Sequence, residues 1–179
     1  MFLITFTTLA FWFYVRFRKE KLLKVYFLAG VALGIGFMYK QVGALDAAAL
    51  GFFILFFEKK PFKKDFILTA GFFLPPAIIS ISTIANHTFQ EFIFASFTYY
   101  RIYLQEGPGL PAIYGVLKVL PILITTSYLL YLKKKSHPIK FELLFVIWLS
   151  FSLLGSLFSG RPYGHYLVQI FPALSLALA

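Results

Sequence analysis

The chain has 179 residues, of which 60% are hydrophobic and 13% charged, with a net charge of +10 and no cysteine. Its mean hydropathy is +0.80. Soluble domains carry about 25% charged and about 45–50% apolar residues, and a soluble fold has too little interior for this much apolar surface, so lipid is expected to cover part of it. Disulfide and thiolate chemistry are excluded.

In chain order the apolar runs are Phe2–Val15, Val25–Tyr39, Val42–Phe57, Phe66–Ala85, Leu110–Leu132, Phe141–Phe158 and Leu167–Ala179. Between them lie three basic clusters: Arg16, Arg18, Lys19, Lys21 and Lys24; Lys59, Lys60, Lys63 and Lys64; and Lys133, Lys134, Lys135 and Lys140. On a soluble protein such a charge would suggest nucleic acid. Clustered between apolar runs it follows the positive-inside rule instead. With the clusters in the cytoplasm, the segments alternate from an outside N-terminus. The expected fold class is all-α: a polytopic transmembrane helical bundle of about seven membrane segments, including a short-helix hairpin, with an external amphipathic helix. The chain reads as one domain over residues 1–179, a fragment of a larger integral membrane protein, multi-pass in the plasma (inner) membrane.

The hairpin is Val25–Phe57. Both of its flanks are basic, so the chain should cross and return, yet each arm has only about 15 residues, or about 22 Å of helix, against a hydrocarbon core about 30 Å thick. The turn at Tyr39-Lys40-Gln41-Val42-Gly43 is therefore expected below the outer surface. Irregular backbone and a lysine at that depth need surrounding protein or a water-filled cavity. Lys40 then calls for a partner, with acidic Asp46 close by, or an anionic ligand such as phosphate. Gly30 and Gly34, just before it, read as small residues that let helix backbones approach closely.

The next external stretch is Asn86–Gly109. Thr88-Phe-Gln-Glu91 fits a capping box, and Phe89, Phe92, Ile93, Phe97, Tyr100 and Leu104 follow helical spacing, as in an amphipathic helix lying on the outer face. Tyr99, Tyr100, Arg101 and Tyr103 are placed either to face a sugar or lipid head or to anchor at the interface. The last external loop, Ser159-Gly-Arg161-Pro-Tyr163-Gly-His165-Tyr166, packs a guanidinium, an imidazole and two phenols between shaping glycines and a proline. Arg161 suits bidentate phosphate contact, and His165 suits a phosphate or sugar hydroxyl, or a metal. No P-loop, dinucleotide fingerprint, HExxH or GxSxG motif occurs.

Two segments carry a family resemblance. Leu28-Ala-Gly-Val-Ala-Leu-Gly-Ile-Gly-Phe-Met-Tyr-Lys40-Gln41 resembles the glycine-rich, lysine-terminated segment of GT-C type membrane glycosyltransferases. Ser159 to Pro172 resembles their Arg-x-x-x-His-Tyr…Pro segment. The resemblance is to enzymes related to protein O-mannosyltransferases and the lipid A aminoarabinose transferase. The resemblance implies transfer of a sugar from a polyprenyl-phosphate-linked donor to a lipid, glycan or protein acceptor on the outer face. An acidic base would lie in a first external loop that this chain does not contain. Cations would hold the leaving phosphate, with Lys40, Gln41, Asp46, Arg101, Arg161, Tyr163, His165 and Tyr166 as substrate-binding candidates. It implies no nucleic-acid partner and no fixed cofactor, with a divalent metal left open. The short-helix hairpin also suits a transporter or flippase of an anionic lipid-linked substrate, and a non-catalytic membrane scaffold is the third reading.

Overall fold

The computed structural model describes residues 2–20, 22–99, 102, 120, 124, 128, 131, 141–158, 168 and 170–178. These form helices joined by short turns and bends, with no strand among the described residues. We label the α-helices α1 (Phe2–Phe17), α2 (Leu23–Tyr39), α3 (Gly43–Phe57), α4 (Pro61–Ala85), α5 (Phe89–Ile93), α6 (Phe141–Phe158) and α7 (Phe171–Leu178). A 3₁₀ turn, Arg18–Glu20, follows α1, and a π turn, Phe94–Thr98, follows α5.

The core is a seam of apolar side chains drawn mainly from four helices, joined by Leu68 of α4 and Ala173 of α7. Phe11 and Tyr14 of α1, Tyr26 and Leu33 of α2, Leu50 and Phe53 of α3, and Leu144, Ile147 and Trp148 of α6 are all buried in it. Phe11 stacks on Trp148, with centroids 3.9 Å apart and planes 8° from parallel, which fixes α1 against α6. Stacked aromatic pairs contribute beyond their buried area.

Backbone proximity, not side-chain bulk, joins α2 to α4. A Cβ at Gly30 would collide with the Leu68 carbonyl oxygen, one at Gly34 with the Phe72 carbonyl oxygen, and one at Gly71 with the Phe27 carbonyl oxygen. The two helices therefore lie glycine to backbone on both sides, the close approach expected of Gly30 and Gly34. Gly36 turns to α1 instead, where its nearest neighbour is Leu3.

Helix α4 begins with Pro61 at its first positions, where the missing N–H costs nothing. It ends in a Schellman arrangement. His87 adopts a left-handed φ of 58°, its N–H donates to Ile84 O at 3.1 Å, and the Thr88 N–H donates to Thr83 O at 2.9 Å, so both orphan carbonyls are satisfied. The expected capping box at Thr88 does not form: α5 has no side-chain cap. The Thr88 hydroxyl points back to Thr83 O at 3.5 Å, because this residue already closes the preceding helix. The expected continuous helical spacing is also interrupted. The π turn shifts the register, leaving Phe89, Phe92 and Ile93 half-buried while Phe94 and Phe97 are exposed.

Among the described residues α4 alone is long and apolar enough to cross a membrane. Only 11% of its most apolar window is buried, and Phe66, Phe73 and Ile81 point away from the protein. A soluble core helix of this composition would be covered. The other apolar helices, α2, α3 and residues Leu143–Ser156 of α6, are shorter, so the seven membrane segments expected from the sequence are not reached within the described residues.

Candidate functional site

The break between α2 and α3 falls where the sequence places it. Helix α2 stops at Tyr39, Lys40 is extended (φ −158°, ψ 121°), and α3 restarts at Gly43. The gap is closed by the chain's own backbone. The Lys40 N–H donates to Gly36 O at 3.2 Å, and Lys40 O accepts from the Gly43 N–H at 2.9 Å. Gln41 O and Val42 O accept from Ala44 and Leu45. The result is a tight, hydrogen-bonded bend with Lys40 half-buried at its apex.

Three neighbours hold this bend. The Tyr39 ring stacks on Phe2 at 5.0 Å and on Phe6 at 6.0 Å, which brings the start of α1 to the bend. Gly43 lies against Leu3 and Phe37 so closely that a Cβ there would reach 2.7 Å from Leu3 Cδ1. From the far side, Gln41 Nε2 donates to Ser96 O in the π turn at 2.7 Å. The bend, the N-terminus of α1 and the α5–π segment thus share one end of the molecule.

Asp46 sits one turn into α3 and is 2% exposed. Its Oδ1 accepts from Trp148 Nε1 at 2.9 Å and from Ser152 Oγ at 2.6 Å. The carboxylate therefore ties α3 to α6, a role the sequence did not signal, because the donors lie more than a hundred positions away. Arg101, Arg161, Tyr163, His165 and Tyr166 lie outside the described residues. Of the eight candidates, the structure places Lys40 and Gln41 together at the bend and Asp46 in the helix interface beneath it. No group of His, Cys, Asp and Glu suited to a metal occurs among the described residues.

The opposite end carries a cluster that the sequence reading passed over. Glu58, just after α3, accepts from Tyr14 Oη at 2.6 Å and from Lys64 Nζ at 2.7 Å, and Arg18 Nε stands 3.4 Å away. Burial pushes the Glu58 carboxyl up, but the bonds from Lys64 and Tyr14 and the charges of Lys64 and Arg18 outweigh it and hold the group below its usual range. The first two basic clusters therefore converge on one end, opposite the Lys40 bend.

The arrangement offers a cation on irregular backbone at one end, and a packed, glycine-paired helix bundle behind it. No curated protein and no solved structure matches the chain. Residues 1–85, which span α1 to α4 and include the Lys40 bend, match the dolichyl-phosphate-mannose-protein mannosyltransferase family, in keeping with the resemblance to GT-C type membrane glycosyltransferases.

Proposed function

We propose that this chain is the phosphate-holding part of a membrane glycosyltransferase that moves a sugar from a polyprenyl-phosphate-linked donor to a lipid, glycan or protein acceptor on the outer face. The observation that carries the reading is Lys40 on the non-helical bend between two short apolar helices, inside the stretch that matches the family. A donor of this kind departs as a phosphate anion. A cation held in place before the reaction stabilises that departing charge without reorganisation. Gln41, tied to Ser96 O, keeps the bend in register with the α5–π segment, where the acceptor would approach.

On this reading the first two basic clusters face the cytoplasm and the Lys40 end faces outward, in keeping with the charge rule. The family resemblance would assign Arg161 and His165, which lie outside the described residues, to the same phosphate, and would assign the acceptor's proton to an acidic base in a first external loop. Lys40→Ala or Arg161→Ala in the full-length parent should lower transfer about a hundredfold or more, the scale of losing one preorganised charge contact, with the folded protein retained. Retained transfer would remove both residues from the site. Flipping or uptake of the lipid-linked donor without glycosyl transfer would favour a transporter.

A further inference from the structure

At the end opposite Lys40, the loop between α3 and α4 and the turn after α1 enclose an open cavity of about 720 Å³. That size lies within the range of about 300–1,000 Å³ usual for small-ligand sites. Its lining carries six cations, Arg18, Lys19, Lys59, Lys60, Lys63 and Lys64, against one carboxylate, Glu58. Glu58 engages Arg18 and Lys64. No ion pair to Lys19, Lys59, Lys60 or Lys63 occurs among the described residues.

The local backbone adds to the imbalance. Lys60 is held in the left-handed region at φ 54°, ψ 54°, a conformation unfavourable for any residue that carries a Cβ. Helix α4 then opens with no side-chain cap and no acidic residue in its first turn. Lysines at positions 63 and 64 are instead set against the positive end of the helix dipole, the sign that destabilises. Strain and like-charge crowding of this kind persist where something offsets them. An anion in the cavity would neutralise the lysines and meet the free N–H groups together.

The surroundings select the kind of anion. Phe56, Phe62 and Phe66 stand 67%, 81% and 73% exposed beside the basic loop, and Leu23 and Phe57 form part of the cavity wall. A soluble anion has no use for this apolar skirt. A molecule with a phosphate head and acyl tails covers both surfaces at once. We infer that the cavity binds the headgroup of an anionic phospholipid, its phosphate among Lys59, Lys60 and Lys63 and its acyl chains along the exposed phenylalanines. Basic pockets at helix ends on a cytoplasmic face recognise such headgroups. This site is separate from the Lys40 bend and does not depend on the glycosyltransferase reading.

The experiment is native mass spectrometry of the detergent-solubilised full chain, titrated in parallel with phosphatidylglycerol, phosphatidylcholine and inorganic phosphate. Retention of phosphatidylglycerol over phosphatidylcholine is expected. The double variant Lys59→Gln/Lys63→Gln should lose it about tenfold or more, at about 1 kcal/mol per lysine near a headgroup. The charge-matched control Arg16→Gln/Lys24→Gln, two exposed cations outside the cavity, should keep it. Lys60→Gly guards against a folding artefact, since it removes a cavity cation while relieving the left-handed backbone, so its weakened binding is not unfolding. Equal losses in the double variant and the control would overturn the site in favour of diffuse attraction. Competition by inorganic phosphate at the same concentration as the lipid would overturn the lipid assignment.

Discussion

Trp148 donates its indole N–H to Asp46 Oδ1 at 2.9 Å, and the same oxygen takes the Ser152 hydroxyl at 2.6 Å. One buried carboxylate thus fixes the height of α6 against α3, while the Trp148 ring fixes α6 against α1 through Phe11. Because Asp46 lies one turn below the Lys40 bend, this junction sets the floor beneath the candidate site. Asp46→Ala leaves two buried donors without their acceptor and should cost about 2–4 kcal/mol, read as a drop in thermal midpoint followed by Trp fluorescence. Asp46→Asn, which keeps an acceptor oxygen, should cost clearly less. If Asp46→Asn kept the fold but ended transfer, Asp46 would belong to the substrate site as well.

The α2–α4 seam makes a sharper distinction among glycines. At Gly30, Gly34 and Gly71 an added Cβ meets main chain, which cannot step aside. Gly34→Ala and Gly71→Ala should therefore each cost about 3 kcal/mol or more, at or above the usual range for overpacking. Gly36→Ala should be tolerated, because its Cβ would meet the Leu3 and Phe6 side chains at 3.3 and 3.5 Å. Protease resistance of the purified chain ranks the variants. Equal tolerance at all four positions would show that the helices can separate without loss.

Much of this was legible in the sequence. The apolar runs at Phe2, Val25, Val42 and Phe141 become α1, α2, α3 and α6, because continuous apolar stretches between charged clusters leave helix as the only way to satisfy the backbone. The bend at Lys40 was legible because two helical runs meet there around polar residues and a glycine. The partners of Asp46 were not, since a contact spanning 102 positions leaves no local trace. The capping box failed for a physical reason: Thr88 has the right side chain for α5 but is already committed to the last turn of α4. Tyr14 and Glu58 escaped notice because a tyrosine inside an apolar run carries no sign of a charged partner 44 positions on.

That Glu58 cluster predicts a pH dependence with a definite sign. Its carboxyl is held below the ordinary value of 4.5 in the folded chain. The contribution is therefore fully present above about pH 4.5, where an unfolded carboxyl is also ionised, and is lost as pH falls through the lowered folded value. The thermal midpoint should fall on acidification below pH 4.5. Glu58→Gln should flatten that fall, and Tyr14→Phe should weaken it by removing one donor. An unchanged acid limb in Glu58→Gln would assign the pH sensitivity to other carboxylates.

Gln41 offers a test of how the bend is held. Its amide donates to Ser96 O at 2.7 Å, a side-chain bond worth about 1 kcal/mol, and it joins the bend directly to the π turn. Gln41→Ala should raise amide hydrogen exchange across residues 94–99 and at Gly43 while leaving the core helices α1 and α6 protected. Uniform exchange in the variant and the native chain would mean that packing alone holds the segment.

Sidedness is the remaining question, and the absence of cysteine makes it directly measurable, since one introduced thiol reports alone. Lys40 and Lys60 mark the two ends of the α2–α3 hairpin. With the basic loops in the cytoplasm, Lys40→Cys should react with a membrane-impermeant maleimide added to intact cells, and Lys60→Cys only after the membrane is opened. Slow but complete reaction at position 40 fits a thiol in a narrow aqueous recess, as the half-buried side chain suggests. Reaction of Lys40→Cys from the cytosolic side alone would reverse the hairpin and withdraw the outward-facing phosphate site. No reaction at position 40 under either condition would put the group in lipid or packed protein, where it could not meet a departing phosphate.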